Sequence, residues 1–464
     1  MKKLLAIMFS IGFMAVAAHA EDAPFTIYGV LDAGVGYETR SLNADPNLMG
    51  TINPNANSAI KSANSTDILA MFNGGISGSR LGVKGSEALE GGWKFVFQLE
   101  TGFNLPNGQI SDNEQSLVNN NPNNGANQNI GSANANSSLA GQLFNRQAWI
   151  GMSSDSFGTL SFGRSYNFIF DVLSKYDPVQ YAQMFSTVSF AGTFGGGAGV
   201  SEDTRVDDNI KYVTKLGDMN LGMAYKVGNM AGSTAYNQGW QFNLGYEAGD
   251  LGVQALYEQH NDAIKTGNGT TASVASGASL TGTAYNTRDW LVAVKYKVND
   301  DAKVSVGYQY YTLSTPTDYF GTGPTKTWVT SLFNRQALIT PYSTASTGGG
   351  NDQNIGVFFL GGSYNVGEKT NLAVGYYAID FFGYTNGATD TTAAKQTATS
   401  EGFQTYYSLL LDHNYSKNTD AYLGIMFVNL SGGLYTNGGN SASGGSGYTN
   451  LDDATYGVGL RHKF

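Results

Sequence analysis

Hydrophobic and polar residues alternate along most of this chain. In "SRLGVKGSEALEGGWKFVFQLETGF" (79–103), Arg80, Lys84, Lys94, Gln98 and Glu100 interleave with Leu81, Val83, Phe95, Phe97 and Leu99. A period of two puts the two sets on opposite faces of a β-strand. With Gly, Asn and Asp turn signals as punctuation, the same reading divides the chain into sixteen strands. They are 25–37, 75–88, 92–103, 143–152, 159–166, 205–215, 220–228, 240–248, 252–260, 288–298, 302–313, 354–366, 370–382, 403–415, 421–430 and 454–464.

The connections alternate strictly, seven short and eight long. Each strand is close to the ~9–11 residues that a tilted strand needs to cross a bilayer. An even number of antiparallel strands, with short turns at one rim and long loops at the other, predicts an all-β, 16-stranded antiparallel transmembrane β-barrel. Two soluble β-domains are the competing layout, but no linker of shifted composition divides the chain. In a membrane barrel the apolar face meets lipid and the polar face meets water in the lumen. Trp93, Phe95, Phe97 and Leu99 then form a lipid stripe. Trp93, Tyr310, Tyr311, Phe381, Phe382, Tyr406 and Tyr407 lie near strand ends, where aromatic residues line membrane interfaces.

The first residues add an export signal. Lys2 and Lys3 precede an apolar run from Leu4 to about Ala17, and Ala18-His19-Ala20 offers a small-x-small cleavage site. That layout predicts a signal peptide over 1–20 and a mature domain over 21–464. Loss of the two lysines leaves 24 of the 26 basic residues against 36 acidic ones, a net charge of −12. The chain has no cysteine, so thiol redox chemistry and cysteine-ligated metals are excluded. Charged residues make up 13%, about half the usual ~25% of soluble domains. An acidic chain of this kind argues against a nucleic-acid partner.

Several of these strands carry more than alternation. "TIYGVLDAGVGY", the 79–103 segment, "LFNRQAWIGMSSDSFGTLSFGRSYNFIFD", "RVDDNIKYV" and the terminal "YGVGLRHKF" closely resemble the trimeric general porins of Gram-negative outer membranes, in order and across the mature chain. The resemblance implies a homotrimer in outer-membrane lipid, with one water-filled channel per subunit for small hydrophilic solutes and ions. It also implies that the third long connection, about 167–204, folds inward and narrows the channel. Basic wall residues there face acidic loop residues. The family's arginines map onto Arg80, Arg164 and Arg205, and Asp177 in "KYDPVQ" becomes the opposing carboxylate. Alternation adds Lys84 beside Arg80 and Lys211 beside Arg205, and Arg146 joins the lumen face. Phe464 resembles the terminal aromatic by which such barrels are recognised for assembly.

Three features depart from the family pattern. Alternation from Leu160 and Phe162 turns Arg164 outward, so an inward Arg164 requires a β-bulge near Gly163 or a strand that has already ended. A second loop carboxylate is replaced by "VQYAQ", with Gln180 and Gln183. The far end of the loop, "GTFGGGAGVSED", is glycine-rich; Glu202 and Asp203 either supply the missing charge or are solvated. Alternatively the arginines form only a structural salt-bridge network.

No catalytic constellation, cofactor or metal site is predicted. His260, His413 and His462 are far apart, and neither a His-x-x-x-His pattern nor a Gly-x-Ser-x-Gly elbow occurs. A substrate-specific outer-membrane channel is the alternative function. "LFNRQAL" (332–338) echoes "LFNRQAW" (143–149) in the sixth long connection, where it could reach the pore mouth. Charged rings filter ions by sign; the arginines predict a slight anion preference, with the acidic outer loops pulling the other way.

Overall fold

The structure, a computed structural model, describes residues 25–44, 68–110, 143–189, 205–228, 234, 238–261, 286–314, 353–382, 402–432 and 448–464. The signal segment, the stretch 192–203 with Glu202 and Asp203, and the echo at 332–338 lie outside them. The strands run in chain order: β1 (Phe25–Ala44), β2 (Ile68–Asn73), β3 (Arg80–Ala88), β4 (Trp93–Asn104), β5 (Gln109–Ile110), β6 (Gln147–Ser154), β7 (Gly158–Tyr166), β8 (Arg205–Leu216) and β9 (Met219–Lys226). They continue as β10 (Gly239–Ala248), β11 (Leu251–His260), β12 (Asn286–Lys297), β13 (Ala302–Ser314), β14 (Gln353–Val366), β15 (Thr370–Phe381), β16 (Gly402–Asn414), β17 (Thr419–Gly432) and β18 (Tyr448–Lys463).

Every pairing is antiparallel, between chain neighbours except where β3 pairs with β1 and β6 with β4, and β1 closes on β18. Because β2 and β3 both pair with β1, they make one stave; β5 pairs only with the end of β4. The result is a closed 16-stranded barrel. Closure matters because every strand edge is then hydrogen-bonded within the sheet, which lipid requires. None of the described helices is long and apolar enough to cross a membrane; the strands do the crossing.

The second stave differs from the sequence expectation. It breaks at Gly74–Ser79, and the cause is Asp32 of β1. Its carboxylate accepts the backbone N–H groups of Gly75 (3.1 Å), Ile76 (3.0 Å) and Ser77 (2.8 Å), and the Tyr422 hydroxyl (2.5 Å). A nest of N–H groups around a fully buried anion replaces six residues of ladder.

Alternation sorts the two faces as expected. Along β10, Trp240, Phe242, Leu244 and Tyr246 are exposed, and Gln241 between them is fully buried. An apolar outer face is what lipid as the surrounding solvent requires. Among the girdle residues, Phe382 and Tyr407 face outward, Tyr310 packs beside Phe382, and Trp93 stacks on Phe157. Tyr311 and Tyr406 do not belong with them. Tyr311 is buried in the interior cluster and Tyr406 packs against it. Adjacent residues of a strand face opposite ways, so the pairs Tyr310–Tyr311 and Tyr406–Tyr407 cannot both meet lipid.

The third long connection begins with helix α1 (Phe168–Tyr176). The Asn167 side chain caps it by accepting from Phe170 N, Asp171 sits in the first turn and Lys175 in the last. Pro178 follows the C-cap Asp177 and stops the helix there. Phe168, Ile169, Val172, Leu173 and Tyr176 form its buried stripe. That stripe and Val179, Tyr181, Ala182, Met184, Phe185 and Val188 pack on inward residues of β9 and β11–β17, among them Leu291, Ala293, Phe359, Tyr377 and Tyr422. The segment is tied along its length. Phe168 N and Ile169 N donate to Glu258, Gln180 bonds Asn371, and Met184 N donates to Gly75 O.

Candidate pore constriction

The segment 167–189 covers one side of the barrel interior and leaves the other less covered. Inward residues under it, such as Ala293, Phe359 and Tyr377, have no exposure. Across β3, β4 and β6, inward Lys84 and Lys94 are exposed, and Arg80, Gln98 and Trp149 are half-buried. On this second side stand most of the charges expected from the sequence.

Glu100 of β4 is their organising centre. Its Oε1 accepts from Arg146 Nε at 2.8 Å and from the Tyr166 hydroxyl at 3.1 Å. Its Oε2 accepts from the Tyr28 hydroxyl at 2.8 Å and lies 3.7 Å from Arg80 Nε. Arg146 also donates to the Tyr166 hydroxyl at 2.8 Å and, like Glu100, is almost wholly buried. This pair is therefore a structural clamp across β4 and the start of β6, shielded from solvent. Arg80 is different: 27% of its side chain is exposed, and Nη1 donates to Gly78 O at 3.1 Å. Lys84, exposed, lies over the Tyr28 ring at 5.4 Å.

Arg164 occupies an irregular position. It stands opposite Ala148 in the β6–β7 ladder, and between Gly163 and Ser165 the β7–β8 register slips. Gly163 has φ +129°, and a Cβ there would lie 2.2 Å from Ala148 O. Glycine is required at this bulge. Arg164 Nε donates to Asn145 O at 2.9 Å, and its Nη1 pairs with Asp207. Arg205 is buried with its guanidinium 5.4 Å from the centre of the Tyr166 ring. Lys211 donates to Tyr166 O (2.7 Å) and Asp171 (2.5 Å), tying the wall to α1.

Asp177 faces away from these cations. It is buried, and its carboxylate accepts from the Tyr377 hydroxyl (2.6 Å), Ser186 Oγ (3.0 Å) and Tyr181 N (2.6 Å). Burial pushes its carboxyl up to about 6, against these donors, which favour the ionised form. Among the described residues no group of three His, Asp or Glu side chains is placed to hold a metal ion.

A fold of this shape and lining invites comparison with known proteins. A family model for Gram-negative porins matches residues 4–433. The chain belongs to the Gram-negative porin family. An outer membrane porin protein of Bordetella pertussis is 28% identical to this porin over 413 residues, covering 82% of this chain and 94% of that one. An anion-selective porin from Comamonas acidovorans superposes with a TM-score of 0.57 at 18% identity, covering 95% and 99% of the two chains. The trimer form of OmpT from Vibrio cholerae gives 0.52 at 16% identity, covering 95% and 99%. This porin is thus an outer-membrane β-barrel that forms a diffusion channel.

Sequence reasoning brought out the cations of this porin but missed their partners. Glu100 was legible only as one more polar residue of an alternating strand. Tyr28, Tyr166 and Asp207, 72, 66 and 107 positions away from it along the chain, join the same wall only when the barrel closes.

Proposed function

We propose that this porin passes small hydrophilic solutes and ions down their gradients through the less covered side of its lumen, with a weak preference for anions. One observation carries the reading: Lys84 keeps an exposed and Arg80 a partly exposed charge on that side, whereas the carboxylates Glu100 and Asp177 are buried and hydrogen-bonded. Exposed cations act on a passing ion; buried, paired charges largely cancel. Arg146, Arg164, Arg205 and Lys211 hold the wall and α1 in position, and Asp177 anchors the segment to β15. Arginine suits the lining because its charge does not titrate. The anion selectivity stated of the Comamonas protein supports the sign, and the trimer form of OmpT supports assembly as a homotrimer in outer-membrane lipid.

The export reading of residues 1–20 and the assembly role of Phe464 are part of the same proposal. The deciding experiment is the reversal potential of the purified mature protein in a planar bilayer under a salt gradient. The double variant Arg80→Gln, Lys84→Gln should move it towards cations, because the accessible positive charge on the less covered side of the lumen is removed. An unchanged potential takes both residues out of selectivity.

A further inference from the structure

We propose that the less covered side of the lumen also holds a weak subsite for small carboxylates carrying a flat aromatic ring, with Lys84 taking the carboxylate and Trp149 the ring. This rests on the diffusion-channel reading above and names a solute class for it.

The residues stand in one lateral row. Thr26, Lys84, Gln98, Trp149 and Gly163 are successive cross-strand partners on β1, β3, β4, β6 and β7. Adjacent strands are ~4.8 Å apart, so the Lys84 and Trp149 backbones are separated by about 10 Å, with Gln98 between them. The next inward row towards the short turns is Ser86, Val96, Gly151 and Ser161. These are small side chains or none, which leaves room in front of the indole.

The chemistry at the two ends differs. Trp149 Nε1 donates to Gln147 Oε1 at 3.1 Å, so the polar edge of the indole is satisfied and the half-buried side chain has its ring left to offer. Other inward aromatics, Phe359, Tyr377 and Tyr422, are buried against the segment 167–189; Trp149 is outside that cluster. An indole left against the aqueous side of a lumen gains by meeting an apolar ring. At the other end the Lys84 ammonium is exposed and meets no carboxylate among the described residues. The carboxylate one row above, Glu100, already serves Arg146, Arg80, Tyr28 and Tyr166. An aliphatic carboxylate could use only the lysine, and a cation is repelled by it. A flat ring bearing a carboxylate uses both ends.

The test is single-channel conductance in KCl with benzoate or acetate added at constant ionic strength, each block scaled to that variant's own KCl conductance. Benzoate should reduce the current at concentrations where acetate does not. Trp149→Ala should weaken the benzoate block at least about threefold, the scale of one aromatic pairing. Trp149→Phe should keep it, and Lys84→Gln should weaken it. Benzoate and acetate acting alike on the wild-type channel would overturn the subsite while leaving the channel reading standing, as would a benzoate block that Trp149→Ala leaves intact. A folded protein with no KCl conductance would overturn the channel reading, and the subsite with it.

Discussion

Glu100 shows how far a single residue's environment can depart from its sequence pattern. It alternates with Phe97, Leu99 and Thr101 like any lumen-facing residue, yet it is as buried as a core leucine and accepts from or faces four donors. Its worth lies in keeping buried Arg146 compensated. Glu100→Gln would break a buried ion pair by removing one partner's charge, a loss of about 3–5 kcal/mol. The variant should unfold at a distinctly lower temperature, measured as the point where the barrel converts to its heat-denatured band on a gel. A midpoint equal to wild type would mean that water or a neighbour replaces the carboxylate. The Arg80–Glu100 contact, longer and partly exposed, contributes far less.

Among elements, the irregular ones position the lining. The bulge at Gly163 turns Arg164 from the register of the lipid face to a pair with half-buried Asp207. Gly163→Ala puts a Cβ against Ala148 O and forces an L residue into positive φ. The expected cost is about 1–3 kcal/mol, read as a lower unfolding midpoint, with Gly217→Ala as the comparison. Gly217 also has positive φ, +62°, but nothing lies within 4 Å of its added Cβ, so its midpoint should fall less. Equal shifts would mean that φ strain alone, and not the close approach to β6, sets the cost. The break in the second stave is the other irregular element. Asp32 draws Gly75–Ser77 inward, and Gly75 O then receives Met184 N, so one carboxylate fixes the landing point of the segment inside the barrel.

At the scale of the whole molecule, the barrel exists only if β1 meets β18, the two ends of the described chain. Gly29 and Phe464 exchange both backbone hydrogen bonds there, at 2.9 and 3.1 Å. The Phe464 ring lies over Gly29 so closely that a Cβ at residue 29 would fall 2.3 Å from it. Removing Phe464 opens the last rung of the closing ladder and strips the ring from the lipid face. The yield of folded, membrane-inserted protein should drop in a deletion of this one residue, measured as the heat-modifiable fraction in outer membranes. Wild-type yield would show that the seam closes without it.

The wall was legible in the sequence because each strand's two faces meet solvents of opposite character. Alternation is forced by lipid outside and water inside, and it can be counted along the chain. For the same reason the inward placement of Arg80 and Lys84 followed from Leu81 and Val83, and Arg164 breaking the period called for either a bulge near Gly163 or an earlier strand end, of which the structure has the bulge. The girdle reading failed at Tyr311 and Tyr406 because aromatic composition near a strand end says nothing about parity. Which cations remain exposed was decided by tertiary structure alone. Nothing in the sequence marks Arg146, Arg164 and Arg205 as more buried than Arg80. Their burial depends on Glu100, Asp207 and Tyr166, which reach them only through cross-strand register and the inward path of residues 167–189. Local periodicity fixes which face a side chain takes, since that is settled by the next residue along the strand. Whether its charge is free to act depends on neighbours tens of positions away, brought in by closure of the barrel.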